Sequence, residues 1–94
     1  MYYVEFYDFE QKFKTLKDAC RECIRQMIYH DFYSRIDIYP NRDTKRPSGF
    51  VQTNGKDFFY VSFTSKGRRF VRKLRADGSM VDPRLNRSRV KQWI

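Results

Sequence analysis

The feature that most limits what this chain can fold into is Phe58 to Phe63, FFYVSF. Phe59, Val61 and Phe63 stand on one face of this run, and Phe58, Tyr60 and Ser62 on the other. A period of two at that density of rings demands a strand with something packed against at least one side. The run leads through a Ser65-Lys66-Gly67 turn into a second strand from Arg68 to Arg75. There Phe70, Val71 and Leu74 sit among Lys66, Arg68, Arg69, Arg72, Lys73 and Arg75. One hairpin therefore supplies core and charged surface together. With the turn taken as tight and Phe63 opposite Arg68, the residues Phe59, Val61, Phe63 and Phe70 share the covered face. Phe58 then lies beside Lys73, Tyr60 beside Val71, Ser62 beside Arg69 and Lys56 beside Arg75 on the open face, with Arg72 turned inward. A three-residue loop places Tyr60 beside Arg72 instead.

The remaining segments supply partners for this hairpin. Tyr2 to Tyr7 alternates as a first strand, and Asp8 to Lys12 reads as a polar turn around Phe9. Thr15 is placed to cap a helix, with Asp18 in the capping-box position. Leu16, Ala19, Cys20, Cys23, Ile24, Met27 and Ile28 then form one apolar stripe at helical spacing, opposite Lys17, Asp18, Arg21, Glu22, Arg25 and Gln26. Ser34 to Tyr39 predicts a second strand with Ile36 and Ile38 inward, closed by Pro40. A polar loop from Asn41 to Gly49 and a third strand from Phe50 to Thr53 follow, with Asn54-Gly55 as the turn into the Phe58 strand. Asp77-Gly78 marks another turn, Ser79 to Val81 a short return, and residues 84–94 a basic terminal helix or a tail anchored by Trp93. The reading is a single α+β domain of 94 residues, in the order β-α-β-β-β-β. One helix covers one face of an antiparallel sheet and leaves the other open, where a second copy could also lie. At this length the core has to be compact, and nine Phe, seven Tyr and one Trp are available to build it.

Charge divides the chain. Residues 1–34 hold five Lys/Arg against six Asp/Glu, and residues 35–94 hold fifteen against five, so the net +9 is a sum of −1 and +10. A one-sided basic field recruits polyanions: nucleic acid first, an acidic protein surface next. No apolar run reaches the roughly 18 residues a membrane helix needs. The acidic residues near the start do not suit a signal peptide, which leads to the expectation of a cytoplasmic, unprocessed chain.

Candidate chemistry is sparse. Cys20 and Cys23 have CxxC spacing, but they fall on the apolar stripe and inside the helix, away from the N-terminus that would activate a thiol. A zinc site would need four ligands, and only His30 joins the two thiols. His30 is placed to close the helix, and no partners stand ready to make it a catalytic base. No catalytic set, metal site or cofactor motif is expected. What remains is the interleaving of rings and cations, which suits nucleic acid: bases stack on rings while cations meet the backbone. The candidate contact residues are Lys56, Phe58, Tyr60, Lys66, Arg69, Arg72, Lys73 and Arg75 on and around the hairpin, Arg42, Lys45 and Arg46 in the loop, and Arg84, Arg87, Arg89 and Lys91 in the tail. About five phosphate contacts would make log K fall with log salt at a slope near −4 to −5.

Lys56 to Phe63 resembles in part the signature of the RNA-recognition motif. Lys56, Phe58, Val61 and Phe63 match it and Tyr60 is a conservative replacement, while Asp57 and Phe59 stand where glycine or a small residue belongs. The short segment after Phe63 leaves no room for that family's second helix, so the likeness implies shared stacking chemistry, to either DNA or RNA, without membership. The order of helix, strands and basic terminus is similar to double-stranded RNA-binding domains, without their basic helix-start motif. Two other classes fit the same residues. One is a small protein-interaction factor of the kind a phage or mobile element encodes, docking on an acidic protein or in a nucleic-acid channel. The other is a ribonuclease-type toxin acting through arginines and tyrosines.

Overall fold

A computed structural model describes residues 1–6, 10–31, 33–43, 45–63 and 69–81. Among these residues six strands and one helix follow in the order β1 (Tyr2–Glu5), β2 (Glu10–Phe13), α1 (Leu16–Tyr29), β3 (Arg35–Tyr39), β4 (Gly49–Thr53), β5 (Phe58–Phe63) and β6 (Arg69–Leu74). They form a single sheet in the order β2-β1-β3-β4-β5-β6, with every neighbouring pair antiparallel. The expected α+β architecture is present, with one helix against one face.

The strand count is the first correction. Glu10–Phe13 is a strand, pairing Tyr2 with Phe13 and Glu5 with Glu10, where the sequence suggested a turn running to Lys12. As an outer strand it has one neighbour and turns only Gln11 and Phe13 toward the helix side, so its pattern carries one apolar residue and no visible alternation.

The helix begins as its sequence dictates. Thr15 has extended dihedrals, and its hydroxyl accepts a hydrogen bond from the Asp18 N–H at 3.1 Å. His30 ends the helix, its backbone N–H donating to the Gln26 carbonyl. Ala19, Cys20, Cys23, Ile24 and Met27 are buried, and Leu16 packs against them. Ile28, placed on the same stripe by spacing, is 61% exposed. Each step of four residues overshoots a full turn, so two such steps from Cys20 rotate Ile28 off the buried face. The polar face is tied by Arg21–Asp18 and Arg25–Glu22 ion pairs.

The innermost core is aliphatic and sulfur-bearing: Val4, Ile38, Val51, Ile24, Cys20 and Cys23 are the largest fully buried side chains. Rings surround it, with Phe6 and Tyr60 buried and Tyr2, Phe13, Tyr33 and Phe58 packed at its margin. Two glycines fit the layers together. Gly49 leaves space that the Tyr60 ring and hydroxyl fill, because a β-carbon there would collide with them. Gly78, at φ 89°, lies against the helix backbone at Lys17 and Arg21 with no room for a side chain.

The β4–β5 turn is built differently from a two-residue hairpin. Gly55 alone takes positive φ, while the Asn54 side chain accepts hydrogen bonds from the Lys56 and Asp57 N–H groups at 2.9 and 2.8 Å. After β6 the chain folds back: Leu74 bridges Met80, and Val81 donates to the Lys73 carbonyl. That return was expected for Ser79 to Val81. No helix among the described residues is long and apolar enough to cross a membrane.

Candidate nucleic-acid interface

Pairing registers decide which side chains the helix leaves uncovered. Phe63 pairs with Arg69, Tyr60 with Arg72 and Phe58 with Leu74, one position away from the tight-turn register. The expected Ser65-Lys66-Gly67 turn, with Lys66 and Arg68, lies outside the described residues. On the other side of β5, Val51 pairs with Tyr60 and Phe50 with Val61. Because Val51 joins Ile36 and Ile38 in the core, this pairing turns Phe58 and Tyr60 toward the helix.

The expected faces of β5 are therefore exchanged. Phe58 and Tyr60, read as open-face rings, belong to the covered side: Tyr60 is 5% exposed, hydrogen-bonds Ser48, and has its phenol pKa pushed up by burial. Both faces of FFYVSF carry large apolar groups, so alternation alone could not orient it. The choice was made by β4, whose core-facing valine sits opposite Tyr60.

The face of β4, β5 and β6 away from the helix carries Phe50 and Val61, both buried, and the half-buried Phe59, Phe63 and Val71, with cations among them. Phe59 stands directly opposite Lys73, and Phe63 directly opposite Arg69. The Arg69 guanidinium lies 5.8 Å from the Phe63 ring centre. Phe59, Val61, Val71 and Arg69 line a shallow hollow together with Phe50 and Gln52. Phe50 is closed off at its floor: it is 2% exposed, with the Arg35 guanidinium 3.8 Å from its ring centre and the Phe63 ring 5.7 Å away. Lys73 also reaches Asp57 at 3.7 Å, an exposed pair worth little in water.

The other sequence-derived candidates are dispersed. Lys45 and Arg46 are exposed in the β3–β4 loop, and Lys45 lines a hollow with Tyr3, Glu5, Glu10 and Arg42, on the β1–β2 side of the sheet. Arg42 in the same loop donates to Glu10 at 3.2 Å and is tied to the far side of the sheet. Lys56 is exposed in the β4–β5 turn. Arg72 is on the helix side, as an inward arginine was expected to be. It escapes burial at the edge strand, with its guanidinium donating to the Val71 carbonyl and lying 5.6 Å from the Phe70 ring centre. Arg75 braces the following turn, donating to the Met80 carbonyl at 2.8 Å and to the Ser79 hydroxyl at 3.3 Å. Arg84, Arg87, Arg89 and Lys91 lie outside the described residues. Phe59 and Phe63 had been assigned to the core and are the rings on the open face. The signal that could have found them was the Asn54 turn, whose four-residue span sets Phe58 opposite Thr53.

The CxxC pair is part of the core. Cys20 and Cys23 are both buried, and burial pushes the Cys20 thiol up to about 12 and the Cys23 thiol higher still. They pack as small hydrophobes, far from thiolate character. Among the described residues no three His, Cys, Asp or Glu side chains gather as metal ligands would. No protein-family model matches the chain, and no curated protein or solved structure matches it.

Proposed function

We propose that this protein is a non-enzymatic nucleic-acid-binding module whose contact surface is the open face of β4–β6 together with the Lys45/Arg46 loop. The observation that carries the reading is the pair of cross-strand ring–cation sets, Phe59 with Lys73 and Phe63 with Arg69, on the side of the sheet the helix leaves bare. Rings give bases a surface, and cations meet phosphate. The chain's net charge of +9 supplies the long-range attraction.

The test is titration of labelled oligonucleotides across a salt series. Each phosphate contact contributes a slope of about −0.7 to −0.9 in log K against log salt, so a slope steeper than about −2 is expected. Arg69→Glu combined with Lys73→Glu should flatten that slope and weaken binding at least tenfold. Binding that ignores salt, or that the double charge reversal leaves intact, overturns the proposal. A second reading, docking on an acidic protein surface, is favoured by Phe70, 45% exposed beside Arg72 on the other face. A stoichiometric protein partner that survives nuclease and is lost with Phe70→Ala would establish it.

A further inference from the structure

Resting on that reading, we infer that the ligand is a single strand whose bases lie on the rings of β5. The open face carries charges of both signs on its β2-β1-β3 side and rings with cations on its β4–β6 side. On the β2-β1-β3 side, Glu10 pairs directly with Glu5. The β1–β3 register, Tyr3 with Tyr39 and Val4 with Ile38, brings Asp37 next in line beside Glu5. The three carboxylates thus run across the strands. Tyr39 records their presence: its phenol pKa is raised, first by burial and then by the negative charges of Asp37 and Glu5. Two of the acids hold a cation back, Arg42 on Glu10 and Arg35 on Asp37. Continuing the same line across β4, β5 and β6, the acids give way to Phe50, Val61 and Val71.

The preference for a single strand follows from where the rings are. Phe59 and Phe63 are set in a sheet face, and a base can lie on them only when it is free of its own neighbours, which a duplex does not permit. The one helix among the described residues is on the opposite side, with its polar face in mixed-sign ion pairs, so it offers no cationic rod for a major groove. The two ring–cation sets are four residues apart on β5, about 13 Å at the usual rise, with Val61 and Val71 between them. Two stacked bases separated by an unstacked one match that gap. The footprint is then short, near the lower end of the roughly 4–16 nucleotides that a comparable single-strand-binding domain covers. Phe50, under Arg35 and against Phe63, is a positioning residue that holds the Phe63 ring.

The experiment compares oligothymidylate and oligouridylate strands of about 4 and about 12 nucleotides with a duplex of matched phosphate count, by fluorescence anisotropy at one salt concentration. Single strands should bind at least tenfold more tightly than the duplex. Phe59→Leu and Phe63→Leu, which keep apolar bulk and remove the ring, should each weaken the single strand about 5- to 150-fold while leaving the duplex unchanged. Circular dichroism on each variant confirms the fold. Equal affinity for duplex and single strand, or indifference to both leucine variants, with the salt slope intact, overturns this inference and leaves the proposed function standing. No salt-dependent binding to any of the probes removes both.

Discussion

The two faces of the sheet use the same kind of residue to opposite ends. Toward the helix, Tyr60 and Phe58 close over a centre of valine, isoleucine and cysteine, and no buried polar or charged group was found among the described residues. Away from it, Phe59 and Phe63 lie among Arg69, Lys73 and Arg35, with a guanidinium near the rings of Phe50 and Phe63. The rings of one strand are thus split by face: Tyr60 and Phe58 pack on the helix side, and Phe59 and Phe63 stay half-buried among cations on the other. The difference teaches that a ring's role is set by the face its strand register gives it more than by its own hydrophobicity, since Tyr60 is core although Arg72 stands opposite it.

Six substitutions break or sharpen that contrast. The largest effect should come from Ile38→Ala in the fully buried centre, with a loss of about 2–5 kcal/mol in urea unfolding. Phe59→Ala, on the open face, should cost only about 1–1.5 kcal/mol; equal losses would mean the open face is core as well. Gly78→Ala comes next. A side chain there meets the helix backbone at Lys17 and Arg21, which adds about 1–3 kcal/mol of overpacking to the positive-φ cost of about 1–2 kcal/mol. Gly55→Ala has the second cost alone, because nothing lies near its β-carbon, and thermal melts of the two variants should differ accordingly. Thr15→Ala removes the hydroxyl that caps the helix and should lower stability by about 1 kcal/mol, with no effect on oligonucleotide binding.

The smallest effect at neutral pH is expected for Tyr60→Phe, about 1 kcal/mol for the hydrogen bond with Ser48. Its value is in the pH profile. Burial raises the Tyr60 pKa in the folded state, so the phenol's contribution is complete below the unfolded value near ~10 and is lost as pH rises beyond it. The wild-type protein should lose stability faster than Tyr60→Phe above about pH 10, measured by urea unfolding. Parallel profiles would show that Tyr60 ionises without penalty and is not a core ring.

Much of the fold was legible because it depends on local pattern. The Thr15 cap, the stripe from Leu16 to Met27 and the inward Ile36 and Ile38 each follow from spacing of a few residues, and each stands where the sequence places it. Strand β2 was hidden because an outer strand with one neighbour needs little apolar patterning. Of the binding surface, the residue types were legible and the face was not. Arg69 and Lys73 are on the open side, whereas Phe58 and Tyr60 exchanged places with Phe59 and Phe63.

By itself the sequence determined the helix, the strand-rich remainder and the concentration of cations after residue 34, because periodicity and charge are properties of the chain read locally. Only the tertiary structure decided which half of the rings would meet solvent. A strand that is apolar on both faces has two nearly equivalent orientations, and the choice between them was made by residues distant in sequence: Val51 opposite Tyr60, the space above Gly49, and the acidic row that Glu5, Glu10 and Asp37 form only once β1, β2 and β3 are side by side.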